Sequence, residues 1–159
     1  GMHGANQTGR PFTGDHAGIL LYQMLHRYGF STQPESLAAD DPLELLDCRI
    51  TNAVKCLPPD NKPVGAEINT CNQYLGNELE RLPKGGVVLA LGGIAHRAII
   101  KARKGRQADY KFAHEAVHDL GEFRLIDSYH CSRYNTNTGR LTEPMFANVF
   151  ARVRSLLES

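Results

Sequence analysis

Residues 86–91 read GVVLAL and run directly into Gly92-Gly93 and the segment Ile94–Lys101. A short, unbroken apolar run between glycines suits a strand covered on both faces, as in a parallel sheet. Two further stretches read the same way: Arg49–Val54 (RITNAV) and Phe123–Tyr129 (FRLIDSY). Helical spacing lies between and around them. Asp15–Tyr28 sets Ile19, Leu20 and Leu21 among Met24 and Leu25, and Gly65–Leu82 carries Ile68, Cys71, Leu75, Leu79 and Leu82. Ile94–Lys101 continues from the glycine pair. Thr142 as N-cap and Pro144 in the first turn open a last helix, expected to bury Met145, Val149, Val153 and Leu156. Leu37–Leu46 and Lys101–Phe112 are the irregular segments. Strands alternating with helices give an α/β class with a mostly parallel sheet.

A chain of 159 residues fits one domain, and 42% apolar with 22% charged residues excludes a disordered or membrane-embedded chain. No stretch is long and apolar enough for a transmembrane helix or a secretory leader, so the expected location is cytoplasmic, with no membrane partner. A net charge of +1 gives no support for a nucleic-acid partner. The basic run Lys101, Arg103, Lys104 and Arg106 reads as a solvated face. Four cysteines (Cys48, Cys56, Cys71 and Cys131) without a secretory signal argue against disulfides and leave free thiols or metal ligands.

In open α/β sheets ligands sit at the carboxyl ends of the strands. Here those ends are Asn52 to Cys56, Gly92-Gly93 and Ser128 to Ser132, all polar or glycine-rich. Asn52 can donate and accept together, which suits the edge of an amide-like ring, or it can cap the following turn. His130 can donate to charge developing on a substrate oxygen, or be a satisfied loop histidine. Phe12 sits in the glycine-rich stretch GMHGANQTGRPFTGD (Gly1–Asp15) and can stack on a flat ligand or pack in the core. Asp15 can cap the first helix or position water beside a ligand. Cys56 and Cys71 lack zinc-knuckle spacing; they are two free thiols or two ligands of a larger set. No Walker-type phosphate loop is present.

In order along the chain stand Gly9-Arg10-Pro11-Phe12-Thr13-Gly14-Asp15, Ile50–Pro59 (ITNAVKCLPP), Cys71, Leu89-Ala90-Leu91-Gly92, Tyr129-His130-Cys131-Ser132-Arg133 and Asn135–Thr142 (NTNTGRLT). This ordered set resembles the iron–sulfur uracil-DNA glycosylases. Asn6–Asp15, the NTNTGRLT segment and Phe112-Ala113-His114 favour their family 5 over family 4. The resemblance covers essentially the whole chain. It implies a single 1–159 domain of three-layer α/β/α form around a mostly parallel four-stranded sheet. It implies a monofunctional enzyme of base-excision repair that hydrolyses the N-glycosidic bond of uracil, and of other deaminated bases, flipped out of DNA. By resemblance Phe12 would stack on the flipped base, Asn52 would read its edge, and His130 would stabilise the departing base. Asp15 would assist water attack or stabilise the sugar cation. Ser132, Arg133 and Asn135 would lie in a DNA-binding loop, and Cys56 and Cys71 would be two of four [4Fe–4S] ligands.

The sequence departs from the family in two respects. The leading strand with its GLAPG-like turn and the preceding cysteine pair are not in it, and Cys131 stands where family members have the proline of His-Pro-Ser. The expectations are that the first strand is absent from the sheet, that the cluster is absent, and that activity is impaired. An open sheet edge would then invite a homodimer or domain swap. Two other functions compete: a non-catalytic superfamily member that binds nucleic acid or another flat ligand, and a generic α/β nucleotide-binding protein.

Overall fold

The GVVLAL run forms strand β1, Gly86–Leu91, in a computed structural model that describes residues 16–34, 43–51 and 75–158. These residues fall into two compact units. One takes in the described part of Gly1–Thr51 with His130–Arg154; the other takes in that of Asn52–Tyr129 with the chain end from Ser155.

In the second unit β1 leads into helix α2, Gly93–Ala102 (α1 lies in the first unit, below). The turn between them needs Gly92, whose φ of 98° is open only to glycine at low cost. Its N–H donates to the Ser128 carbonyl at 2.8 Å and extends the sheet ladder by one rung. After a 3₁₀ turn at Gln107–Asp109 come β2, Val117–Asp119, and β3, Phe123–Ser128. The sheet order is β1-β3-β2. β1 and β3 run parallel from Gly86 opposite Phe123 to Leu91 opposite Ser128, and β2 pairs antiparallel with β3. The α/β class is therefore as expected, and among the described residues the sheet has three strands and is only partly parallel.

β2 was not legible in the sequence: Val-His-Asp is short, and only its central residue turns partly inward. The expected strand Arg49–Val54 is not found where it can be seen. Residues 49–51 are irregular, and the rest lies outside the described residues. The core of this unit is Leu75 and Leu79, from a helical stretch over residues 75–80, with Ala90, Ala98, Ile99, Ile100, Phe123 and Leu125. β3 is buried along almost its whole length, as its apolar run requires.

In the first unit α1, His16–Arg27, buries Ala17, Leu21, Met24 and Leu25, an i, i+4, i+7, i+8 stripe, and leaves Ile19 outside it at 55% exposure. Gly29 ends the helix at φ 83°, and the Phe30 N–H returns to the Leu25 carbonyl at 2.7 Å, a Schellman closure with Phe30 buried behind it. Arg154 locks this corner: its Nε donates to the Tyr28 carbonyl at 2.7 Å, and its guanidinium lies 4.0 Å over the Phe30 ring. Arg154 belongs to the last helix, Glu143–Glu158, which Thr142 caps by accepting the Met145 N–H at 3.3 Å. That helix buries Phe146, Val149, Phe150 and Val153. Met145 and Leu156, expected in the stripe, are only half-buried, because the two phenylalanines hold the centre.

Candidate active site

The chain leaves β3 into Tyr129-His130-Cys131-Ser132 and then a single helical turn, α3, Arg133–Asn137; the last helix is accordingly α4. Ser132 caps α3 by accepting the Asn135 N–H at 3.2 Å. Asn135 then binds the loop to itself. Its Nδ2 donates to the His130 carbonyl at 2.9 Å, and its own carbonyl accepts the Leu141 N–H at 3.0 Å. The backbone of the proposed catalytic histidine is thus fixed by a side chain five residues on. His130 is half-buried, Arg133 is exposed, and Tyr134 is exposed at 70%. Gly139 turns the loop at φ 77°. Cys131 is fully buried, and its thiol donates to the Ala17 carbonyl at 3.4 Å. Burial and a tie to α1 hold the chain here.

In the other unit Asp127, on β3, accepts from two imidazoles: His96 Nδ1 at 2.7 Å and His118 Nε2 at 2.8 Å. The second nitrogen of His96 faces the Tyr110 carbonyl. His96 is thus held between a carboxylate and a carbonyl, with His96 and Asp127 both fully buried. His96, His118 and Asp127 could serve as metal ligands, their ligating atoms lying within 4.8 Å of one another. In this arrangement, however, each imidazole is seated on its own carboxylate oxygen, and the set works as a hydrogen-bonded brace between α2, β2 and β3. Nothing in the sequence singled it out, because its members lie 9 and 31 residues apart along the chain.

A further histidine, His114, accepts the Tyr129 N–H at its Nδ1 at 3.0 Å and stacks on the Tyr129 ring at 4.9 Å. Of the basic run, Arg103 pairs with Glu122 at 3.0 Å and Arg106 approaches Asp109 at 3.9 Å, in keeping with a solvated face.

Phe12, Asp15, Asn52, Cys56 and Cys71 lie outside the described residues, as does the glycine-rich opening stretch. The other two cysteines are described. Cys48 donates to the Phe30 carbonyl at 3.5 Å, and burial first, then Asp47, pushes its thiol up to about 11. Cys48 and Cys131 both donate to backbone carbonyls.

A βα unit with parallel strands defines an α/β protein, a class in which ligands sit at the strand ends. Comparison narrows that class. The chain belongs to the uracil DNA glycosylase superfamily, whose family model matches residues 1–154. It is 46% identical over 157 residues to a type-5 uracil-DNA glycosylase of Thermus thermophilus, covering 98% of this chain and 71% of that protein. It is 42% identical over 150 residues to the type-5 enzyme of Pyrobaculum aerophilum, covering 94% of this chain and 65% of that protein. A type-4 uracil-DNA glycosylase of Thermotoga maritima is more distant, at 30% identity over 128 residues, 80% of this chain and 58% of that protein. The chain thus spans about two thirds of the length of these two type-5 relatives.

Proposed function

We propose that this chain is the body of a monofunctional uracil-DNA glycosylase of the type-5 kind, acting in base-excision repair as one domain over residues 1–159. The observation that carries the reading is the match to type-5 relatives along nearly the whole chain. The His130 loop, tied down by Asn135, supports it. No described helix is long and apolar enough to cross a membrane, which suits an enzyme that meets DNA in the cytoplasm.

In the proposed reaction the bond from the deoxyribose C1′ to uracil N1 breaks, and its electron pair leaves with the base. His130 donates to the oxygen on which that negative charge gathers, so it acts mainly in the transition state. A water oxygen forms the new bond to C1′. Its proton passes by way of the Asp15 carboxylate to solvent or to the departing uracil anion. Phe12 stacks on the extruded base and Asn52 reads its edge by donating and accepting at once. Ser132 and Asn135 shape the DNA-binding loop, and Arg133 faces the phosphates.

Cys56 and Cys71 are proposed as two ligands of the family's iron–sulfur cluster. Cys48 and Cys131 donate to backbone carbonyls and are not proposed as ligands. β1 has no strand on its outer side among the described residues, and pairing of that edge in a homodimer is expected to show as the mass of two chains in solution.

The test of function is release of free uracil from a duplex carrying one uracil. Release at the uracil alone, leaving an abasic site with the strand uncut, is expected. Binding without release would leave a non-catalytic member of the superfamily.

A further inference from the structure

His114 carries two costs in one place. Its Nδ1 accepts the Tyr129 N–H, so the neutral ring must hold its proton on Nε2. That Nε2 is buried and meets no acceptor. A buried donor left unpaired is costly, and native structures rarely keep one without a use. The ring cannot turn away, since it is stacked on Tyr129 at 19° between planes. The turn that presents it is strained as well. Ala116 N–H closes on the Ala113 carbonyl at 3.1 Å, and Glu115, the third residue of that turn, sits at φ 67°, a conformation that favours glycine. Glu115 is held there by its own N–H, which donates to the Asp127 carbonyl at 2.7 Å. Strain and an orphan donor together mark functional positions more often than structural ones. The partner of this ring, Tyr129, immediately follows β3 at its carboxyl end, where α/β sheets receive ligands.

We infer that the His114 Nε2–H is a substrate contact, donating to an oxygen acceptor of the bound nucleotide. The inference rests on the glycosylase reading for the identity of that nucleotide. The acceptor is either a carbonyl oxygen of the extruded base or a phosphate oxygen of its strand. Both present the same chemistry to a neutral imidazole N–H. The tautomer suits this role, because the Tyr129 amide occupies Nδ1 and leaves Nε2 as the donor of the neutral ring.

His114→Asn is the discriminating variant. Its Oδ1 can still accept the Tyr129 N–H, while the donor at the Nε2 position is lost. The variant is expected to keep the wild-type Tm and to lose about tenfold or more in kcat/KM for uracil release, the loss expected for one ligand hydrogen bond. His114→Gln, whose terminal amide reaches as far as Nε2, is expected to recover most of it, which a purely structural role would not produce. Two binding arms separate the sources. Weakened inhibition by free uracil, with unchanged affinity for a duplex carrying an abasic-site analogue, assigns the base carbonyl. Weakened affinity for the abasic duplex assigns the phosphate. An active wild-type chain whose His114→Asn variant matches it within about twofold in kcat/KM, uracil inhibition and abasic affinity overturns the inference alone, since one ligand hydrogen bond is worth more than that. A wild-type chain that releases no uracil overturns the glycosylase reading first. Should His114→Asn fail to fold, His114→Gln at wild-type kcat/KM with His114→Ala folded and equally active overturns the inference in the same way.

Discussion

In the proposed reaction His130 is the donor, and Asn135 is the group that holds its backbone. His130→Ala is expected to lower the rate of uracil release by about 100- to 1000-fold in single-turnover kinetics, the scale for losing one oxyanion donor. Asn135→Ala frees the His130 carbonyl and is expected to lower the same rate more mildly, with Tm falling as the loop loosens. Cys48 offers a check that needs no substrate. Its pKa of about 11 against an ordinary 9.0 leaves far less thiolate at pH 8 than a free cysteine has. Alkylation by iodoacetamide at about pH 8 should therefore be at least about tenfold slower than for the unfolded chain. The raised value also fixes a sign: the neutral thiol is favoured in the fold, so its contribution to stability is intact below about pH 9 and is lost as pH climbs toward 11. Tm is expected to fall over that window in the wild type, and less steeply in Cys48→Ala.

Elements here are set by a few positions with special geometry. Gly29 at φ 83° closes α1, and a Cβ there would also meet the Arg154 guanidinium at 2.9 Å. Gly29→Ala is expected to cost about 1–2 kcal/mol, read as a lower midpoint in urea. Glu115 at φ 67° is the converse case, and Glu115→Gly should raise that midpoint by up to about 1 kcal/mol of stability. The brace across α2, β2 and β3 depends on Asp127 accepting from His96 and His118. Asp127→Ala leaves two imidazoles without their shared carboxylate and is expected to cost about 3–5 kcal/mol in the same assay. What the sequence disclosed at this scale follows from pattern strength. GVVLAL and FRLIDSY announced β1 and β3 because fully buried strands read as unbroken apolar runs. Thr142 and Pro144 announced the start of α4. β2 was silent because three residues with one partly inward side chain make no period. The α4 stripe was misplaced because Phe146 and Phe150 outweigh Met145 and Leu156 in volume, which spacing alone does not weigh.

For the molecule as a whole, family and chemistry were legible in the order of short motifs, and the family match along residues 1–154 agrees with that reading. The contacts were not legible. His96, His118 and Asp127 are brought together by the pairing of β2 with β3 and by the packing of α2, which no local spacing encodes. The roles given to Phe12, Asp15 and Asn52 rest on their motifs alone, since these residues lie outside the described ones. Uracil excision and the His130 donor are two claims that one measurement reads. The direct measurement is single-turnover release of uracil from a duplex with one uracil, by the wild-type chain and by His130→Ala at matched folding. The result expected is release by the wild type at the uracil and not at the normal bases, with His130→Ala slower by at least about 100-fold. Equal rates for the two chains, or intact binding to the duplex with no uracil released by either, would contradict it.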